Sequence, residues 1–435
     1  MKKILLFICA VIMACSVSGT LSHPQYLAYA AGSGDSPISP GQYQKMLGRG
    51  MDVDWSKTGE GRKYYSETAA KKFKQAGISH VRIRVKDAVS DKLFQKLDEQ
   101  IHDCIRYGLI PVLAYQANEF KNKVSDESMD GAVGWWKTVA EHYKDESYLL
   151  SFDLMIECSD ALNKQPQKLN EYFEKAVSAI RVTNPKRIIM MSPRVRSDPT
   201  YLKELEIPSQ ANGYMMAEWH FYAAGPSKEN EKKLWTTGTD KEKRLIKDKI
   251  SLALAWQKET GIPTWVGAWM AGNYNDGDDY SMEEQIRFAN YMVAQLDAAG
   301  IPFAVNSDTK FYNRENNNWI IDMLPLRYCI YDSFEKAVDM LLSISKAKIT
   351  SVRAVSKNSI QVNWEKLSRA HGYRLVISAD RKFGKGTKQY TLSATSKKIT
   401  NLQLGKTYYV KARGYRKTNG KVIYSHYSQT MKIKL

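Results

Sequence analysis

Between Leu47 and Asn306 the chain alternates, eight times over, a short apolar run with a longer amphipathic stretch. The runs are Leu47–Val53, His80–Val85, Ile110–Tyr115, Leu150–Ile156, Arg187–Ser192, Tyr214–Phe221, Thr264–Trp269 and Pro302–Asn306. They are mostly continuous rather than alternating in polarity, as parallel strands covered on both faces are. The stretches between them have helical periodicity: Leu93, Leu97, Ile101 and Ile105 fall four apart, with charges elsewhere on the helix. Four stretches stop alike, at Ala76-Gly77-Ile78, Tyr107-Gly108-Leu109, Thr260-Gly261-Ile262 and Ala299-Gly300-Ile301. A glycine just past a helix end supplies the left-handed residue that closes it. Repeated strand–helix units close into a barrel or spread into a doubly wound sheet. No Gly-rich nucleotide fingerprint opens the first unit, so the expected fold is α/β, a (β/α)₈ TIM barrel.

The chain's 435 residues leave room for more than a barrel of about 250. Residues 1–30 read as a secretory signal peptide. Lys2 and Lys3 precede an apolar run, Ile4 to Val17, too short to span a bilayer, and Ala28-Tyr29-Ala30 offers a cleavage site. Cys15 loosely fits a lipoprotein box, but Met13 fits it poorly, so secretion is favoured over a lipid anchor. Residues 31–44, opening on the Gly/Ser/Pro run Ala31–Pro40, are expected to be a linker, and 45–343 the barrel. From 344 to 435 the pattern becomes short alternating strands, such as Ile360–Trp364 and Tyr408–Ala412, as in an all-β immunoglobulin-like sandwich.

The net charge of +18 resides in that last part. Residues 341–435 hold 21 Lys and Arg against Glu365 and Asp380, a net of +19, while elsewhere 43 Lys and Arg face 44 acids. A basic domain on a near-neutral body is drawn to polyanions, here an anionic cell-wall polymer, anionic lipid headgroups or an acidic polysaccharide rather than nucleic acid. A merely soluble basic surface is the bland alternative. Outside the signal, Cys104, Cys158 and Cys329 are odd in number and lack paired spacing, as expected of buried thiols. No Cys/His cluster has metal-ligand spacing, so neither metal nor cofactor is expected, and the chain is expected to be a monomer.

The fourth run leads straight into Glu157. A carboxylate at the carboxyl end of a buried parallel strand is where such a barrel keeps a catalytic acid, although a structural pairing with Arg82 is the alternative. With Glu157, the segments Gly77-Ile-Ser-His-Val-Arg82, His220-Phe-Tyr222 and Gly261–Trp269 together resemble glycoside hydrolase family 5, the cellulase family, over about residues 45–330. Gly77-Ile-Ser-His-Val-Arg82 resembles its second-strand segment, and His220-Phe-Tyr222 its sixth-strand His-x-Tyr pair. Gly261-Ile-Pro-Thr-Trp-Val-Gly267-Ala268-Trp269 resembles its seventh-strand segment except at the catalytic position.

The resemblance implies Glu157 as acid/base and a lost nucleophile at Ala268. It implies substrate contacts from Arg82, Gln116, His220, Tyr222 and Trp269, and a β-glucan or mannan as substrate. Ile156, Gln116 and Asn306-Ser-Asp308 depart from the family's residues at three further positions. Retaining hydrolysis needs two carboxyls about 5 Å apart. Glu218, on the same strand face as His220 and Tyr222 but deeper, and Asp276, with Asp278 and Asp279 in the loop after the seventh strand, are the substitute carboxylates. A polysaccharide hydrolase is favoured over an inactive barrel that binds carbohydrate. The final ninety or so residues, with Trp364, Gly372-Tyr373 and Leu402–Val410, resemble a fibronectin type III domain.

Overall fold

The computed structural model describes residues 36–159, 161–222, 235, 237–272, 280–418 and 420–435. The expected signal segment and Asp276, Asp278 and Asp279 lie outside them. Eight parallel strands close into a barrel in chain order, with β8 pairing back onto β1. They are β1 Arg49–Val53, β2 His80–Val85, β3 Ile110–Tyr115, β4 Ser151–Asp153, β5 Ile189–Met191, β6 Met215–Tyr222, β7 Thr264–Met270 and β8 Phe303–Val305. Strands β2 and β3 have the expected bounds, whereas β4, β5 and β8 keep only three residues of longer apolar runs. Hydrophobicity there extends past the ladder, because Leu154, Met155 and Ile156 are buried as loop.

The helices between the strands start and stop on local chemistry. Helix Asp91–Tyr107 begins where the Leu93 N–H donates to the Ser90 hydroxyl, and ends on left-handed Gly108 at φ 77°. Gly261 and Gly300 close helices Asp240–Thr260 and Met282–Ala299 in the same way.

The region expected to be a linker differs. Ser39 caps a helix, Pro40–Leu47, and Pro40 occupies the first helical position, where it starts a helix rather than breaking one. Tyr43 and Leu47 are fully buried and pack with Ile38 against Ile110, Val112, Met190, Met216 and Trp265 at the amino-terminal end of the barrel. The helix covers an apolar layer that would otherwise meet water.

Above that layer the barrel interior is charged. Asp52 of β1, Arg82 of β2, Asp153 of β4, and Glu218 and His220 of β6 are each at most 4% exposed. The residues alternating with them on β6 and β7 (Trp219, Phe221, Val266 and Trp269) belong to the layer shared with the surrounding helices. After β8 come a short hairpin, β9 Tyr312–Asn313 and β10 Asn318–Trp319, and helix Phe334–Ile344. Cys104, Cys158 and Cys329 are buried and form no disulfide among the described residues.

The C-terminal part is a sandwich of two antiparallel sheets. One is β11 Ile349–Ser356, β12 Ser359–Trp364 and β15 Ser396–Ile399. The other is β14 Lys388–Leu392, β13 Gly372–Ser378, β16 Thr407–Thr418 and β17 Lys421–Tyr424, with β18 Met431–Lys434 also pairing β16. Ile360, Val362 and Trp364 from one sheet meet Tyr373, Leu375, Ile377, Val410 and Ala412 from the other in its core. The Tyr408 hydroxyl accepts the Gln403 N–H at 2.8 Å, fixing the corner that leads into β16.

Candidate active site

Strand alternation places Glu218, His220 and Tyr222 on the inner face of β6. Beside them β7 carries one extra residue: Trp219 pairs Val266 and His220 pairs Ala268, leaving Gly267 unmatched. A Cβ on Gly267 would lie 1.9 Å from Glu218 Oε2 and 3.1 Å from His220 Nε2. The glycine is there because a carboxylate occupies that space.

Arg82, wholly buried, holds this layer together. Its Nη2 lies 2.6 Å from Asp153 Oδ2 and 2.8 Å from Glu218 Oε2, and its Nη1 lies 3.7 Å from Asp52 Oδ1. Burial pushes the Asp153 carboxyl up, to about 7, against the pull of Arg82. Burial likewise raises Asp52, against Arg84 and Arg82. Glu157 is not a partner of Arg82. It stands at the end of the β4 segment in a left-handed conformation, φ 56°, and accepts from His220 Nδ1 at 3.0 Å.

His220 therefore carries a carboxylate on each ring nitrogen, Glu157 on Nδ1 and Glu218, 3.1 Å away, on Nε2. Burial disfavours the imidazolium. The Glu218 charge and the hydrogen bonds to both glutamates outweigh it and hold the pKa up to about 9. Burial would raise Glu157, but the His220 hydrogen bond and charge, with Lys121 and Arg196 beyond, bring it down to about 2. Arg196 lies in three successive left-handed residues, Val195 to Ser197, whose strained turn is anchored by Asn163 and Cys158. Glu157 is thus a carboxylate at neutral pH, about a quarter exposed, over a buried imidazolium.

These groups open into a cavity of about 130 Å³ lined by Asp52, Lys57, Arg82, Arg84, Gln116, Ile156, Glu157, His220 and Asn306. The Asn306 amide donates to Tyr222 Oη at 2.9 Å, and Arg84 donates to Asn306 Oδ1 at 3.0 Å and Asp52 Oδ2 at 3.3 Å. Of the residues expected at the site, Glu157, Arg82, Gln116 and His220 line the cavity, and Tyr222 is tied to its wall through Asn306. Trp269 does not reach it. The extra residue in β7 turns Trp269 outward, fully buried, with its ring 5.5 Å from Phe303 and 5.9 Å from Phe288. Ala268 is 1% exposed and packs with Tyr222 and Met270. Glu218 is wholly buried behind His220.

Asp52, Lys57, Arg84 and Asn306 were not singled out from the sequence as contacts. For Asp52 and Arg84 a signal was present: Asp52-Val-Asp54 and Arg82-Ile-Arg84 place charges two apart in or beside strands otherwise read as apolar. Such spacing sends both side chains to one face.

The sequence pattern of the Cellulase (glycosyl hydrolase family 5) family matches residues 41–305. The chain belongs to that family. Among solved structures, this cellulase-family barrel is similar to endoglucanase Cel5A from Thermotoga maritima, at 23% identity and TM-score 0.59, covering 67% of this chain and 100% of that one. It is similar to the cellulose synthase subunit Z of Clostridioides difficile, at 20% identity and TM-score 0.56, covering 65% and 99%. A further endoglucanase matches at 17% identity and TM-score 0.59, covering 67% and 99%. Complexes of the Thermotoga protein with cellobiose and with mannotriose are among the structures matched. No curated protein matches the chain.

Proposed function

We propose that this cellulase-family protein hydrolyses O-glycosidic bonds of a β-linked polysaccharide of glucan or mannan type, with Glu157 as its acting carboxylate. The observation that carries the reading is Glu157 itself: ionised, partly exposed, and fixed by His220 at the mouth of a polar cavity in a barrel of this family. The cellobiose and mannotriose complexes of the Thermotoga relative support the substrate class.

The family's retaining route needs a protonated carboxyl and an ionised one about 5 Å apart. Ala268, where the family resemblance would put the nucleophile, offers no carboxyl, and a Glu157 held near pKa 2 is no acid at neutral pH. Those two facts favour a single displacement with Glu157 as the base that takes a proton from water. A protonated carboxyl must then reach the leaving oxygen from elsewhere. Asp52, which lines the same cavity, and Asp276, which lies outside the described residues, are the two candidates. Arg82, Gln116, His220 and Tyr222 position the base and the sugar. The second reading, an inactive barrel that binds the glycan, is favoured by the burial of Ala268 within an apolar cluster.

The C-terminal sandwich is proposed to be a fibronectin type III domain, supported by the Tyr408–Gln403 corner and the Trp364 core position. The basic, apolar start of the chain supports secretion.

The test is reducing-end release from β-glucans and mannans by the wild type and by Glu157→Gln, Asp52→Asn, Asp276→Asn and Ala268→Glu. An inverted product anomer from the wild type, and a loss of at least about a hundredfold in Glu157→Gln, are the expected results. Turnover unchanged by Glu157→Gln removes the assignment. Inert wild type that nonetheless binds oligosaccharide by calorimetry leaves the binding reading.

A further inference from the structure

The outer face of the sheet β14-β13-β16-β17 concentrates cations without counter-ions. Inward residues of β16 are Tyr408, Val410, Ala412 and Gly414, so Tyr409, Lys411, Arg413 and Tyr415 point outward. The register sets Arg374 of β13 directly opposite Arg413, and Tyr415 opposite Tyr424 of β17. Rings interleave the charges: Lys411 Nζ lies 3.9 Å from the Phe383 ring centroid and 4.6 Å from that of Tyr427. The Arg413 guanidinium lies 3.9 Å from Tyr424 and 4.4 Å from Tyr427, and that of Arg374 lies 4.5 Å from Tyr424.

Like charges directly opposite on adjacent strands destabilise a sheet. Arg374, Lys411 and Arg413 form no ion pair among the described residues, and Arg413 Nε has no hydrogen-bond partner. The domain's two acids are engaged elsewhere: Glu365 with Lys348, and Asp380 with the backbone N–H groups of Lys382 and Gly384. The aromatic rings partly offset the repulsion and hold the cations in place. No acidic side chain among the described residues of the domain pairs with them.

From this face we infer a docking site for an acidic polysaccharide, a glycan chain bearing carboxylates on its sugar rings. Charge complementarity requires a polyanion. Guanidinium forks match carboxylates, and Lys411 and Arg413, two residues apart, lie about 7 Å apart along the strand, within reach of successive acidic sugars. Tyr409 and Tyr415, outward on the same strand and with no cation over their rings among the described residues, offer aromatic surface to pyranose rings, which a polyol-phosphate chain lacks. This site is separate from Glu157 and does not depend on hydrolysis by the barrel.

The test uses the whole protein at 150 mM salt and isothermal calorimetry with a decameric oligogalacturonide, cellodecaose, a polyphosphate and single-stranded DNA. Oligogalacturonide is expected to bind best. The triple variant Arg374→Gln/Lys411→Gln/Arg413→Gln should lose at least tenfold in affinity, against less than twofold for Arg353→Gln/Lys357→Gln/Lys398→Gln in the other sheet. Glu157→Gln should bind as the wild type does. Equal loss in both triple variants would reduce the effect to net charge and overturn the site. Equal or tighter binding of polyphosphate or DNA would overturn the carboxylate assignment. Should the first triple variant unfold, Lys411→Gln alone decides: a threefold or greater loss supports the site, and no loss overturns it.

Discussion

His220 couples the two ends of the site, because each of its nitrogens faces a glutamate. Its folded pKa, about 9, stands above the ordinary 6.5, so its stabilising contribution is complete below pH 6.5 and is lost as pH rises toward 9. Glu157, near 2 against an ordinary 4.5, contributes fully above pH 4.5 and loses that contribution as pH falls toward 2. The advantage of the wild type over His220→Asn in urea unfolding should therefore shrink by on the order of 1–3 kcal/mol between pH 5.5 and 9.5. An advantage that grows with pH would contradict the imidazolium. Gly267 gives a second prediction at this scale. Gly267→Ala drives a methyl into Glu218 Oε2, and destabilisation by about 1–3 kcal/mol, seen as a lower Tm, is expected. Neither residue's partner could be read from the chain: the Glu157–His220 contact spans 63 residues and exists only because β4 and β6 share one interior.

At the scale of elements, local rules carried most of the information. The Gly108, Gly261 and Gly300 closures stand where their sequence signals put them. Replacing Gly108 by Val should cost about 1–2 kcal/mol, since φ 77° is left-handed and β-branched residues resist it. Chemical denaturation checks that figure. Where local signals failed, packing had overruled them. The Gly/Ser/Pro composition of 31–40 masked the helix that follows, whose purpose is to cover the barrel floor. The extra residue at Gly267 reversed the facing of Trp269, because a one-residue shift in a strand moves a side chain to the opposite face.

Across the whole molecule, the barrel and sandwich meet through helix Phe334–Ile344, which packs against β16 and β17. Arg416 Nε lies 3.2 Å from Asp339 Oδ1, and a Cβ on Gly414 would lie 2.8 Å from Leu367 and 3.8 Å from Leu342. Gly414→Leu should therefore loosen this contact and speed proteolysis around residues 344–348, relative to the wild type, in a limited-trypsin time course. Unchanged cleavage would mean that the contact does not restrain the junction.

The sequence by itself determined the number and order of the barrel strands, the helix ends, the sandwich, the basic C-terminal charge and the position of Glu157 at a strand end. Each follows from periodicity, turn chemistry or composition within a few residues. Only the tertiary structure decided that Glu157 leans on His220, that Arg82 serves Asp153 and Glu218 instead, and that Trp269 turns away from the cavity. It also decided which cations share one sheet face. Those outcomes depend on register and barrel closure, which bring together residues far apart in the chain and set the charge each can hold.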